Sequence, residues 1–324
     1  MKKWSPFIHV ALGILVVFFI AQAFQQNGNS LVEYIPLIKT GPLCIAIVLL
    51  VLYRVWNAYG WGLCLKSLHI HLSFWESVRI WWLSEALRWL PGSIWGYFSR
   101  AAQAKQRGIP TMTASLSLTI ELGLTIAAWT TTASIGLLVG ALDFGLEVYT
   151  VIQWSITFFF IGLAAFAFAA CLLAKFPGSL IAKKVLRLIA SFRSVIRKQP
   201  DYKMMAFTYV YYIAMCSLNG LAFYFILLSV SDTPISLATA IGVNSAGWLA
   251  GFLAIGAPAG IGIREAGITG LLAPIMPVQL ALIASLLWRF TQICVELLCL
   301  SLCWSISLKQ YVVKAPKSTE NLAS

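Results

Sequence analysis

The chain has 324 residues, 60% of them hydrophobic and 10% charged, with a mean hydropathy of +0.85. This excludes a soluble globular domain and reads as an all-α polytopic membrane protein, because runs of roughly 18 or more mostly apolar residues, each long enough to cross about 30 Å of hydrocarbon, recur along it. The net charge of +12 would suit nucleic acid in a soluble protein. Here it encodes topology, since lysine and arginine collect on the cytoplasmic side, and no nucleic-acid partner is expected.

The first apolar run, 6–24, follows Lys2 and Lys3 and ends near Ala21-Gln22-Ala23. It resembles a signal peptide, but its length and the spans behind it favour an uncleaved transmembrane helix. Further full crossings are expected at 41–63, 110–140, 148–174, 204–230 and 277–308, six in all with the first. Two more apolar stretches, 74–107 and 236–274, are broken by Pro91 and Pro258 and read as re-entrant helical hairpins. With Lys2 and Lys3 inside, this path keeps Lys66, Lys105, Arg107, the basic segment 175–203 and Lys309, Lys314 and Lys317 cytoplasmic. Asp143, Glu147 and Asp232 then face outward, with Lys39 the outward cation. That sorting favours hairpins over eight simple crossings, and places both termini of a multi-pass inner-membrane protein in the cytoplasm.

The same path divides the chain into a first membrane half, 1–140, a second, 141–308, and a cytoplasmic tail, 309–324. The halves share a layout in opposite orientation, the inverted-repeat plan of many transporters. Between them, Ile181, Val185, Leu188, Ile189, Phe192 and Ile196 lie near one helical face, so 175–203 reads as an interfacial helix on anionic inner-leaflet lipids. The seven cysteines form no C-x-x-C pair and read as small buried hydrophobes. His69 and His71 have no third ligand nearby, and no metal or other cofactor is expected. The string GIGIREAG (260–267) mimics a dinucleotide fingerprint but lacks a βαβ setting.

The two breaks read LPGSIWGYFSR (90–100) and APAGIGIREAG (257–267). Proline fits the first position of a helix. Helices starting at Pro91 and Pro258 would hold unpaired N–H groups and about half a positive charge each, deep in the membrane. Gly92, Ser93, Gly96, Gly260 and Gly262 would leave those groups uncovered, which suits an anion such as phosphate; the alternative is a pair of kinks with no ligand. Ten charges fall within the membrane segments: Arg54, Arg79, Arg88, Arg264, Arg289, Glu76, Glu85, Glu121, Glu265 and Glu296. Each costs roughly 2.5–3.5 kcal/mol at the bilayer centre unless paired or wet. Arg289 and Glu296, two turns apart, share a helix face, whereas the adjacent Arg264 and Glu265 point to separate partners. Glu76, Arg79 and Arg88 lie near enough to the hairpin ends to snorkel. For Arg54, Glu121, Arg264, Arg289 and Glu296, substrate or coupling roles and structural pairing both stay open. Trp81, Trp82, Trp89 and Trp95 form either an aromatic belt or a glycan-stacking surface.

LPGSIWGYFSRAAQAKQRG, followed by Glu121, resembles the L-P-G-x-x-G-D-x-x-R…G pattern of the lysylphosphatidylglycerol synthase transmembrane family. APAGIGIREAG resembles its P-G-G-[LI]-G-x-R-E motif, and Arg289 falls where that family often has an arginine. The resemblance covers nearly the whole chain. It makes Pro91, Gly92, Gly96, Arg100, Pro258, Gly260, Gly262, Arg264 and Glu265 the characteristic positions. It implies lipid handling, since the family includes the flippase portion of the multiple peptide resistance factor, which moves aminoacylated phosphatidylglycerol, and stand-alone proteins associated with hopanoid or glycan pathways. Tyr97 stands where the family usually has aspartate, and Leu122 where an arginine often follows the glutamate. With no aminoacyl-transferase domain in these 324 residues, a stand-alone member is expected.

The expectation is thus a lipid translocase, not an enzyme, for a phospholipid or a polyprenyl-phosphate-linked amphiphile. Pro91, Gly92, Ser93, Gly96, Arg100, Pro258, Gly260, Gly262, Arg264 and Arg289 would bind the phosphate-containing headgroup. Arg54, Glu121, Glu265 and Glu296 would couple or pair charges, Glu121 and Glu296 holding Arg264 and Arg289. The alternatives are a membrane-embedded glycosyltransferase-type enzyme with Glu265 or Glu85 as base, and an accessory subunit of an envelope lipid or polysaccharide pathway. Pathway enzymes and a second copy of the chain are the candidate protein partners. If the breaks lie within the membrane, a cysteine replacing Gly92 is labelled far more slowly by a membrane-impermeant maleimide than one replacing Gln106; equal rates would rule the hairpin out.

Overall fold

The computed structural model describes residues 38–89, 95–143, 200–253, 260 and 262–314. Eight α-helices follow in order: α1 Thr40–Lys66, α2 Phe74–Glu85, α3 Trp95–Gln106, α4 Thr111–Asp143, α5 Tyr202–Val230, α6 Leu237–Leu253, α7 Ile263–Leu272 and α8 Val278–Lys314, with a 3₁₀ turn at Ala86–Trp89. No strand occurs among the described residues. α1, α4, α5 and α8 are each long and apolar enough to cross a membrane, where the hydropathy places spans. The chain is an all-α, multi-pass membrane protein. The spans expected at 6–24 and 148–174, nearly all of the segment 175–203 and the end of the tail lie outside the described residues.

The other four helices are shorter. α2 and α3 have 12 residues each, about 18 Å at 1.5 Å per residue, and α6 and α7 have 17 and 10, about 25 and 15 Å. All fall short of a 30 Å hydrocarbon core. α2 packs on α3, and α6 on α7. Local chemistry sets their ends. Ser73 caps α2 by accepting the Glu76 N–H, and Glu76 in turn pairs with Arg107 just beyond α3. At α7, Gly260 and Gly262 have φ of 70° and 85°, where a side chain would be strained. The Glu265 carboxylate accepts the Gly262 N–H at 2.7 Å and starts the helix at Ile263. α7 therefore begins at Ile263, not at Pro258, while the described part of α3 opens at Trp95. A left-handed glycine cannot be helical, and the Glu265 cap fixes the first turn beyond it. Pro91, Gly92, Ser93 and Pro258 themselves lie outside the described residues.

α1 and α5 run antiparallel and are joined at both ends. The Lys39 N–H donates to the Ser229 carbonyl and the Asp201 N–H to the Ser67 carbonyl, each at 2.9 Å. A shift of 162 positions carries 39 to 201 and 67 to 229, so these are the same bond made twice. Ser67 and Ser229 are both buried, and each returns its hydroxyl to the carbonyl three residues earlier, Cys64 or Ile226, at 2.7 Å. For the later elements the shift is 167. It relates Pro91 to Pro258 and the helix starts Thr111 and Val278. The preceding Pro110 and Pro277 accept from Ala114 and Ala281, each at 3.0 Å. The packing exchanges the same way: α1 on α2 matches α5 on α6, α4 on α5 matches α8 on α1, and α4 on α6 matches α8 on α2.

Small residues let these helices touch backbone to backbone. A Cβ at Gly136 of α4 would lie 2.4 Å from the Ala238 carbonyl oxygen and 2.5 Å from the Gly242 Cα. Lipid tails are as apolar as leucine, so close van der Waals approach must supply the attraction between membrane helices. Gly136→Ala is expected to lower stability by about 1–3 kcal/mol, read as thermal unfolding in detergent. Gly123→Ala, which meets nothing within 4 Å, should stay within about 0.5 kcal/mol.

Candidate functional site

Between the matched sets of helices lies a chamber with about 750 Å³ of empty space, part of it open to the outside. Every described helix contributes to its wall. Four pairs of lining residues correspond under the shifts just described: Asn57 with Asn219, Trp81 with Trp248, Tyr97 with Arg264, and Thr125 with Gln292. The charges in the wall are Arg54, Glu85, Arg100, Glu121 and Arg264.

Arg100 organises one side. Its side chain is the most enclosed of the charged groups, the residue being 1% exposed. Nη1 donates to both Glu121 oxygens, at 2.7 and 2.5 Å, and Nε donates to Ser84 Oγ at 2.9 Å. Nη2 reaches Glu85 at 3.2 Å. Trp61, Trp81 and Tyr97 surround the guanidinium, with its Cζ 5.3–5.9 Å from their ring centroids, within cation–π range. Trp81 also donates its indole N–H to Glu121 at 3.0 Å. Tyr97, at the position where the family pattern has an acid, thus meets Arg100 through a ring face.

Two further ion pairs tie the helices. Arg54 of α1 donates to Glu296 of α8 at 2.9 Å, and Arg289 of α8 lies 3.5 Å from Glu265 of α7. The expected holding of Arg264 and Arg289 by Glu121 and Glu296 is therefore corrected: Glu121 holds Arg100, Glu296 holds Arg54 and Glu265 holds Arg289. Seven residues along a helix is about 10 Å, too far for Arg289 and Glu296 to meet directly, whereas neighbouring helices present partners at contact. Arg264 and Glu265 do diverge, one into the chamber wall and one to Arg289 and the Gly262 N–H. Glu265, offered as an enzymatic base, is engaged by both.

Of the residues singled out from sequence, Arg54, Trp81, Glu85, Tyr97, Arg100, Glu121, Leu122 and Arg264 line the chamber. Gly96, Gly260, Gly262, Arg289, Glu265 and Glu296 do not. Gly260 is packed against the Gly251 backbone, 2.6 Å from its carbonyl oxygen to an added Cβ. Trp82 donates to the Arg54 carbonyl at 3.2 Å, and Trp95 is exposed, so neither stands at the chamber. Sequence reasoning missed Tyr53, Asn57, Thr125, Trp129, Tyr212, Asn219, Trp248 and Gln292. The available signal was the carboxamides: Asn57, Asn219 and Gln292 sit within spans built for hydrocarbon, where an amide is costly without a partner. Among the described residues no group of three or more histidine, cysteine or acidic side chains could hold a metal.

Replacing Glu121 with alanine would leave a buried guanidinium short of its bidentate partner. A loss of about 3–5 kcal/mol is expected, measured by thermal unfolding in nanodiscs. Lys39→Ala, which breaks the exposed pair with Asp232, should cost at most about 1 kcal/mol.

Comparison with the curated proteins finds no match. The family model for the lysylphosphatidylglycerol synthase TM region matches residues 7–299, a range that contains every residue of the chamber wall. The chain therefore belongs to the lysylphosphatidylglycerol synthase transmembrane family.

Proposed function

We propose that this protein is a flippase-type lipid translocase whose chamber receives the phosphate-containing headgroup of a phospholipid or a polyprenyl-phosphate-linked amphiphile. The observation that carries this reading is a charged chamber lined from every described helix, beside the antiparallel α1 and α5 bonded alike at both ends. An inverted repeat around a central site lets the halves rock against each other and expose the same site to either side. The short pairs α2–α3 and α6–α7 act in this reading as re-entrant hairpins, one dipping from each face, and both contribute wall residues.

Arg264 of α7 is the cation that meets the phosphate. Glu121 holds Arg100 by both oxygens and Glu296 holds Arg54, so those arginines serve mainly to bind the helices together. Arg289 acts through Glu265, orienting the first turn of α7 and with it Arg264. The helix starts near Gly96 and Gly262 support the electropositive wall rather than seat the anion, since Glu265 already accepts the Gly262 N–H. The family supports membrane-lipid handling; the headgroup is our reading of the chamber's chemistry.

An arginine–phosphate hydrogen bond contributes about 1.5–3 kcal/mol. In proteoliposomes carrying labelled phosphatidylglycerol or a labelled polyprenyl phosphate, the wild type is expected to move lipid between leaflets without covalent change. Arg264→Ala should slow it roughly 10- to 100-fold. A new lipid product by mass spectrometry, or a wild-type rate in the Arg264→Ala protein, would defeat the proposal.

A further inference from the structure

Three buried residues on the second side of the chamber form a relay whose polarity is set by chemistry. An indole N–H can only donate. Trp288 Nε1 donates to Asn244 Oδ1 at 2.9 Å, so the amide group of Asn244 must face the other way. There Asn244 Nδ2 donates to Asn219 Oδ1 at 2.8 Å. The oxygen of Asn219 is thereby held inward, and its own NH₂ is turned to the remaining direction. Asn219 is 2% exposed and lines the chamber, and among the described residues its NH₂ has no protein acceptor. That NH₂ is left open toward the chamber, where a bound acceptor could take a hydrogen bond from it.

The neighbouring amides add to this surface. Asn57, the counterpart of Asn219 on α1, and the buried Gln292 on α8 also line the chamber. Among the described residues neither carboxamide has a protein partner. By contrast, the chamber's acids are held by arginine: Glu121 by both oxygens and Glu85 by one. The wall thus offers neutral amides beside its arginines, and both of its carboxylates engage Arg100.

We infer that Asn219 is a specificity-determining residue, oriented by Asn244 and Trp288 to donate to headgroup oxygen, and that the chamber selects headgroups bearing phosphate and hydroxyl oxygens over those bearing an amine. This rests on the translocase reading for the identity of the ligand as a lipid. Asn244 and Trp288 are positioning residues, since they act through Asn219 and do not line the chamber.

Asn219→Asp is the informative variant. It keeps the shape and still accepts from Asn244 Nδ2, but replaces the donor facing the chamber with an acceptor. Binding of short-chain phosphatidylglycerol and short-chain phosphatidylethanolamine to the purified full-length protein would be compared by calorimetry. The wild type is expected to prefer phosphatidylglycerol by about tenfold or more, the ratio equivalent to about 1.4 kcal/mol. Asn219→Asp should abolish or reverse that preference, and Asn244→Leu, which releases the amide to turn, should weaken it. A wild type that prefers the amine headgroup overturns the inference, as does a folded Asn219→Asp protein with an unchanged ratio. If lipid is translocated but the ratio ignores Asn219, this inference alone falls; if no lipid binds or moves, the translocase reading falls with it.

Discussion

A guanidinium cannot rest in hydrocarbon, and the chain answers that constraint at Arg100. The residue is 1% exposed, so water does not complete its hydrogen bonds, and Glu121, Glu85 and Ser84 do so instead. Those partners come from α2 and α4, and the aromatic faces around it add α1. One cation thereby fixes four elements relative to one another. In a membrane, where apolar surface gains little by leaving lipid for protein, such polar contacts and close backbone approach decide how helices associate. Arg54–Glu296 joins α1 to α8 and Arg289–Glu265 joins α7 to α8 on the same principle.

Several backbone bonds and helix contacts recur under the shifts of 162 and 167, but the charges do not. Under the shifts that relate the two sets of helices, Arg54 corresponds to Cys216, Glu85 to Phe252, Arg100 to Gly267 and Glu121 to Trp288. Arg264 corresponds to Tyr97. Each charge in the chamber wall therefore has an uncharged counterpart. Two neutral polar pairs, Asn57 with Asn219 and Thr125 with Gln292, keep polar side chains at both positions.

The family places the chain among membrane proteins of lipid metabolism, and its departures from the family pattern fall at the chamber. Tyr97 and Leu122 both line the wall. The aspartate and arginine of the pattern would put opposite charges there; this chain puts a phenol ring over Arg100 and an apolar side chain. The consequence is a wall whose neutral hydrogen-bonding groups outnumber its charges.

Hydropathy and length alone determined the membrane class and the positions of α1, α4, α5 and α8, because the demand that hydrocarbon makes on a helix is local and one-dimensional. The interruptions at Pro91 and Pro258 and the charged positions were legible for the same reason. The Gly262–Glu265 cap was also written locally, as a glycine followed three residues later by glutamate, but Pro258 drew the start of α7 too early. Which charge meets which was settled by tertiary structure: Arg54 and Glu296 stand 242 positions apart, and no periodicity along a single helix relates them. The orientation of Asn219 depends on an asparagine from α6 and a tryptophan from α8, so its meaning as a donor exists only once three helices are packed.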